Sequence, residues 1–405
     1  MRGVAMAVTL GLLVTGAAAQ DKAGTFGDDL AFLKLHGQPV VLKDAAGQAQ
    51  IIVMPGLQGR VMTSTASGLD GLSFGWINRA LFEKGKPVEH FNAWGGEDRL
   101  WLGPEGGQFS IYFAKGKSFV FDNWYVPAAI DTEPFEVVSQ APHAIVCRRK
   151  FDLTNYSGTK FHVQIDRTVR LLEAGQAWQQ LGVPAPADAR LVAYESESTL
   201  NNAGQEPWKK DTGLLSIWIL SMYNPSPATT VVIPIKTGPE SELGPPVNAD
   251  YFGRVPPERL VVKDGVVFFS ADGKYRSKIG ISPRRAKPLL ASYDADNHVL
   301  TFVQYTLPEG AVDYVNSMWE IQKNPYGGDA ANSYNDGPVD GGEPLGPFYE
   351  LESSSPAAAL APGAKLTHVH RTFHIQGAEP ELNKLAQALL GVSLEQITSA
   401  LPRPK

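Results

Sequence analysis

Cysteine, long apolar runs and a strong charge of either sign are all scarce in this 405-residue chain. The lone cysteine, Cys147, excludes an intramolecular disulfide, so chain length must supply the core that disulfide bridges supply in small secreted domains. Its setting, AIVCRRKF, predicts a small apolar core residue on a strand rather than a reactive thiol. With 36 basic and 42 acidic residues the formal charge is −6, too little to predict a nucleic-acid groove or an anionic-membrane patch. Neither nucleic acid nor membrane is therefore an expected partner. Beyond the first residues no apolar run approaches the roughly twenty that a membrane helix needs. Helical periodicity is sparse too. Asp28 to His36 predicts a short N-terminal helix, and Glu379 to Leu401 predicts a C-terminal one with Leu382, Leu385, Leu389 and Leu390 on one face. No internal repeat, charge run or low-complexity linker divides the chain.

The N-terminus holds Arg2, an apolar Val4 to Val14, and Ala17-Ala18-Ala19 before Gln20. That arrangement predicts a signal peptide over 1–19, cleavage near Ala19, and a periplasmic or secreted protein formed by one domain over 20–405. Thirty prolines and forty glycines cut the rest into short segments that alternate apolar and polar residues, the pattern of an all-β protein. Expected strands include Val40 to Leu42, Gln50 to Met54, Phe109 to Phe113, Ala144 to Leu153, Lys160 to Leu172, Leu214 to Met222 and Thr229 to Ile235. Val261 to Ser270, Val299 to Thr306, Phe348 to Glu352 and Leu366 to Gln376 complete the set. Asn155-Tyr156-Ser157-Gly158 between two such runs predicts a hairpin.

Four stretches concentrate polar and aromatic side chains where a strand would carry filler. His90 to Gly107 holds His90, Trp94, Glu97, Asp98, Arg99 and Trp101 among glycines, offering hydrogen bonds for hydroxyl groups and flat faces for C–H surfaces, as a sugar requires. Tyr194 to Asn202 alternates carboxylates and hydroxyls, with Glu195 and Glu197 on one strand face. Asn324 to Pro347 reads as a long irregular loop containing Asn335 and Asp336; its spacing matches no calcium loop, and no metal or cofactor is expected. The last stretch pairs Glu350-Leu351-Glu352 with His368-Val369-His370 across a Pro-Gly turn. Were these two strands antiparallel neighbours in symmetric register, Glu352 would oppose His368 and Glu350 would oppose His370, all on one face.

GGEDRLWLGPEGG, the LNNAGQEPW turn and the closing YELESSSPAAALAPGAKLTHVHRTFHIQG together resemble the galactose-mutarotase-like superfamily, in particular its uncharacterised secreted bacterial members. The resemblance spans most of the chain after residue 19. It implies a β-supersandwich of large antiparallel sheets with a short N-terminal and a C-terminal helix and a sugar site on a concave face. It also implies a late-strand glutamate as base, for which Glu352 and then Glu350 are the candidates. The mid-chain histidine that aldose mutarotases pair with that base has no counterpart: Asn201-Asn202 stand there, and no histidine lies between His162 and His298. A carbohydrate is thus the expected ligand. The expected function is an enzyme acting on a sugar by epimerisation or glycosidic-bond chemistry, with Glu352, Glu350 and His368 catalytic. Glu97, Asp98, Arg99, Trp101, Trp94, His90, Asn335, Asp336 and His370 are the expected substrate-binding residues. The alternatives are a non-catalytic carbohydrate-binding protein on the same scaffold and a structural secreted protein with no small ligand. Oligomeric state is not legible.

Overall fold

A computed structural model describes residues 24–338 and 342–402, so the expected signal peptide lies outside the described residues. Among the described residues eighteen strands form three antiparallel sheets with short helices between and after them, the all-β architecture that the alternating segments predict. The largest sheet runs in the order Leu260–Lys263, Val266–Ser270, Thr229–Pro234, Leu289–Asp294, Val299–Tyr305, Lys365–Gln376, Arg190–Asn202, Lys160–Leu171, Ala144–Thr154, Glu136–Ala141. A five-stranded sheet has the order Ser277–Ile281, Ala331–Asn335, Tyr349–Ser354, Ser216–Tyr223, Arg99–Gly103. Val40–Lys43, Gln50–Met54 and Arg60–Thr65 make a third, small sheet.

The two larger sheets stack. Ile217 and Ile219 of the five-stranded sheet share one apolar cluster with Val163, Ile165 and Leu200 of the ten-stranded sheet. Tyr223, Tyr349 and Leu351 share another with Val231, Leu290 and Val303. The five-stranded sheet is consequently buried on both sides, which is why Ser216–Tyr223 and Tyr349–Ser353 show no exposed position at all. The far face of the ten-stranded sheet is covered near its centre by the C-terminal helices, whose Leu382, Leu385 and Leu390 pack on Ala291, Phe302 and Phe373.

Several expectations need correction. Val261 to Ser270 is two strands, because Asp264 (φ 50°) and Gly265 (φ 76°) form a two-residue turn that reverses the chain. The C-terminal helix likewise divides at Gly391 (φ 74°) into Glu379–Leu390 and Leu394–Ser399. Phe109 to Phe113 forms no strand; its aromatic alternation instead packs Tyr112 on Trp101 and Trp124, and the Tyr112 hydroxyl donates to the Leu102 carbonyl at 2.8 Å. Ala331–Asn335, taken for irregular loop, is an inner strand. The hairpin of Ala144–Thr154 with Lys160–Leu171 stands as expected, and Cys147 is buried, its thiol pushed up to about 11 chiefly by that burial.

Candidate active site

The outer face of the five-stranded sheet is the floor of a cavity of about 890 Å³. Directly opposed residues in a sheet point to the same side, so the register fixes which side chains reach it. Tyr349–Ser354 is the central strand, and its Glu350 opposes Met222 on one neighbour and Tyr334 on the other. Glu352 opposes Leu220 and Asn332; Leu220 in turn opposes Arg99, and Trp218 opposes Trp101. Tyr334 opposes Lys278 on the edge strand. Two glutamates, an arginine and a lysine are thereby gathered on one surface by strands far apart in sequence.

Their contacts are specific. Arg99 Nη2 donates to Glu350 Oε1 at 3.0 Å while its guanidinium lies 4.4 Å from the Trp101 ring centre and 5.1 Å from that of Phe91. Lys278 Nζ and Trp218 Nε1 both donate to Glu352 Oε2, at 2.9 and 2.8 Å. Burial pushes the Glu350 carboxyl up to about 8; Arg99 opposes that rise, and the neighbouring Glu352 charge adds to it. Glu350 is therefore pushed toward its protonated form, while Glu352 accepts from an ammonium and an indole N–H. Two adjacent carboxyl groups in such different surroundings can act as an acid/base couple.

Aromatic walls rise from this floor. Trp101 and Trp218 meet edge to face at 5.6 Å, Trp124 and Trp319 stack at 5.8 Å, and Phe91 and Phe121 join them at the mouth. Glu105 accepts from Trp319 Nε1 at 3.2 Å and is raised by burial against the pull of Lys278. Across the cavity, Asp329 accepts from the Tyr251 hydroxyl at 2.5 Å, and Asp336 from the Tyr334 hydroxyl at 2.5 Å; burial raises both carboxyl groups.

Of the residues expected from sequence, the cavity brings together Glu350, Arg99, Trp101, His90 and Asp336, while Glu352 lies just beneath, wholly buried under Trp218 and Lys278. It does not take the others. The expected pairing of the two late strands is overturned: Tyr349–Ser354 lies between Ala331–Asn335 and Ser216–Tyr223, whereas Lys365–Gln376 lies between Val299–Tyr305 and Arg190–Asn202. They belong to different sheets, and the histidines meet the opposite face of the glutamate strand. Ser353 Oγ lies 2.8 Å from both His368 Nε2 and His370 Nδ1, and Ser221 Oγ is 3.2 Å from His370 Nε2. This serine–histidine cluster is fully enclosed between the sheets, so it cannot reach a ligand in the cavity. Burial holds His368 down at about 3 and His370 at about 4, both neutral.

Glu97 and Asp98 sit in the same enclosed layer. Glu97 Oε2 accepts from Ser64 and Tyr194 at 2.8 and 3.0 Å and lies 3.0 Å from His374 Nε2, while Asp98 pairs with Arg167 at 2.5 Å with both side chains wholly buried. Trp94 packs on Phe82 at 4.7 Å beneath the N-terminal helix. Asn335 bonds the backbone of Gly273 and Tyr275. Glu195 is held by Arg170 and by Arg371, the latter at 2.7 Å, on the far sheet. Lys278, Arg276, Trp124, Trp319, Tyr251 and Asp329 were not anticipated. Lys278 had a signal, a lone lysine between Ser277 and Ile279, but five residues are too few for alternation to mark that strand.

A model of a family of unknown function (DUF6786) matches residues 24–401. The chain belongs to this family. A search of curated proteins finds no match for it. Among solved structures, this family member is similar to the Slr1438 protein from Synechocystis, at 13% identity over 84% of this chain and 96% of that one, with a TM-score of 0.49. A putative aldose 1-epimerase from Escherichia coli K12 is 12% identical over 84% and 99%, with a TM-score of 0.46. A galactose mutarotase-like protein from Lactobacillus casei is 10% identical over 83% and 100%, with a TM-score of 0.45. Among the described residues no helix is long and apolar enough to cross a membrane, and no group of three or more His, Cys, Asp or Glu residues is arranged to hold a metal ion.

Proposed function

We propose that this protein is a carbohydrate-active enzyme of the epimerising kind, which moves protons between neighbouring oxygens of a sugar. The observation that carries this reading is the Glu350/Glu352 pair on one strand face, Glu350 lining an aromatic-walled cavity and Glu352 just beneath it, with burial pushing the Glu350 carboxyl toward its protonated form. In opening and closing a sugar ring, one group takes the proton of the anomeric hydroxyl while another gives a proton to the ring oxygen. These two oxygens are bonded to the same carbon, so a base and an acid standing side by side can serve both. Glu352 is the base and Glu350 the acid in this scheme.

The same geometry argues against cleavage of a glycosidic bond by this pair. Glycosidases set their two carboxyl groups about 5–9.5 Å apart on either side of the scissile bond. Glu350 and Glu352 instead come from one face of one strand, so both stand on the same side of a bound sugar rather than on either side of a bond. Tryptophan faces suit the C–H surfaces of a pyranose, and Arg99 and Lys278 supply donors for hydroxyls. The test is a thermal-shift screen of purified protein against mono- and oligosaccharides, followed by NMR exchange measurement of anomer interconversion for each sugar that binds. A sugar that raises the melting temperature and whose anomers then exchange faster is the expected result. If no sugar raises it, the reading is wrong; binding without exchange leaves a carbohydrate-binding protein.

A further inference from the structure

We propose that the sugar taken by this cavity carries an acidic substituent, a uronate-type carboxylate, and that Arg276 is the residue that selects it. The inference rests on the carbohydrate reading above and narrows it to a substrate class. Arg276 stands two residues before Lys278, at the start of the edge strand, so both project from the same side of the sheet. Its guanidinium carbon lies 4.0 Å from the Phe252 ring centre, and its Nε is 3.3 Å from the Tyr334 hydroxyl oxygen. That hydroxyl gives its own proton to Asp336 at 2.5 Å, so it accepts from Arg276 in a fixed chain. One face of the guanidinium and one of its nitrogens are thus engaged.

The two terminal nitrogens are not. Among the described residues they make no hydrogen bond, and no carboxylate lies within ion-pair distance. The other two cations of the cavity each already have a carboxyl oxygen as partner, Arg99 that of Glu350 and Lys278 that of Glu352. A planar fork held in place by stacking, with its two terminal nitrogens unused, fits the two oxygens of a carboxylate and loses little side-chain freedom on binding one. A neutral sugar would leave those two nitrogens to water. The acids at the mouth, Glu89, Glu320 and Glu343, are exposed, where water and salt screen them.

The experiment compares glucuronate and galacturonate with glucose and galactose, by calorimetry and thermal shift on the full chain at neutral pH and low salt. A uronate should bind at least tenfold more tightly than its neutral parent, and Arg276→Gln should abolish that preference, lowering uronate affinity at least tenfold more than neutral-sugar affinity. Arg276→Lys, which keeps the charge but loses the fork, should fall between the two and serves if the glutamine variant does not fold. Equal binding of acidic and neutral sugars, or a preference that survives Arg276→Gln, overturns the proposal while the carbohydrate reading stands. Failure of every sugar to bind overturns both.

Discussion

The strand Tyr349–Ser354 separates two buried polar regions that differ in one respect, access. On its outer side Glu350 and Glu352 face a cavity with Arg99 and Lys278; on its inner side Ser353 meets His368 and His370 in a closed layer that continues through Arg167, Asp98, Glu97 and His374. Both sides are rich in the side chains that catalysis uses. Only the outer one has room for a ligand. The inner one shows that a serine touching two imidazoles, or a glutamate touching a histidine, can be an internal brace that keeps buried polar groups satisfied.

The sharpest way to test this difference is to change neighbouring residues on the one strand. Glu350→Gln and Glu352→Gln each should lower the sugar turnover by about 10²–10⁴-fold, the usual loss when a positioned proton donor or acceptor is removed. Ser353→Ala, a single residue away, should leave turnover within a few-fold and instead lower stability by about 1–3 kcal/mol, by leaving two imidazoles short of a partner. A turnover assay beside a denaturant melt separates the two outcomes, and a large turnover loss in a stable Ser353→Ala protein would erase the distinction drawn here. Deeper in the closed layer, Asp98→Ala leaves Arg167 as an unpaired buried cation and should destabilise by about 3–5 kcal/mol in the same melt.

Acidity separates the two regions next. His368 and His370 have folded values of about 3 and 4, below the ordinary 6.5, so the unfolded chain binds protons that the folded chain refuses. Their contribution is complete above pH 6.5 and is lost as pH falls toward 4, at about 1.4 kcal/mol per pH unit for each histidine. Glu350 has the opposite sign: raised to about 8, its protonated form stabilises the fold fully below about 4.5, and that contribution fades as pH rises through 8. Turnover should fall over the same alkaline range, as the acid of the couple is lost. Melting curves from pH 4 to 9 should therefore show an acid limb that a His368→Gln/His370→Gln double variant flattens and an alkaline limb that Glu350→Gln removes.

How much of this was legible in the sequence follows from the same strand. Alternation reveals which residues share a face, and it correctly put Glu350 with Glu352 and His368 with His370. It does not reveal which strand lies beside which. The adjacency of the two late strands along the chain suggested a hairpin, but the connection from Ser354 to Lys365 crosses from one sheet to the other. The Glu97-Asp98-Arg99 run shows the same limit at shorter range: Arg99 faces the cavity, whereas the two acids before it serve the closed layer. The five-stranded sheet was the hardest part to read, because strands buried on both faces lose the polar–apolar rhythm that marks a half-exposed strand. Lys278 and Asn332 lie on two of its strands, each only five residues long, which shortens the pattern further. The large sheet, with one face partly open to water, left clear alternation in Lys160–Leu171, whose buried positions fall at every second residue.

The crowding of aromatic rings around the cavity also makes the protein its own optical reporter. Four of its eight tryptophans, Trp101, Trp124, Trp218 and Trp319, line that one space, with ring centres 5.6–6.3 Å apart in three successive pairs. Indoles this close exchange excitation, so their emission and their near-ultraviolet circular dichroism belong to the group and respond together. A ligand that lies against any one of them displaces water from the cluster and shifts the shared signal. Occupancy of the cavity is thereby written into the intrinsic fluorescence of the unlabelled chain.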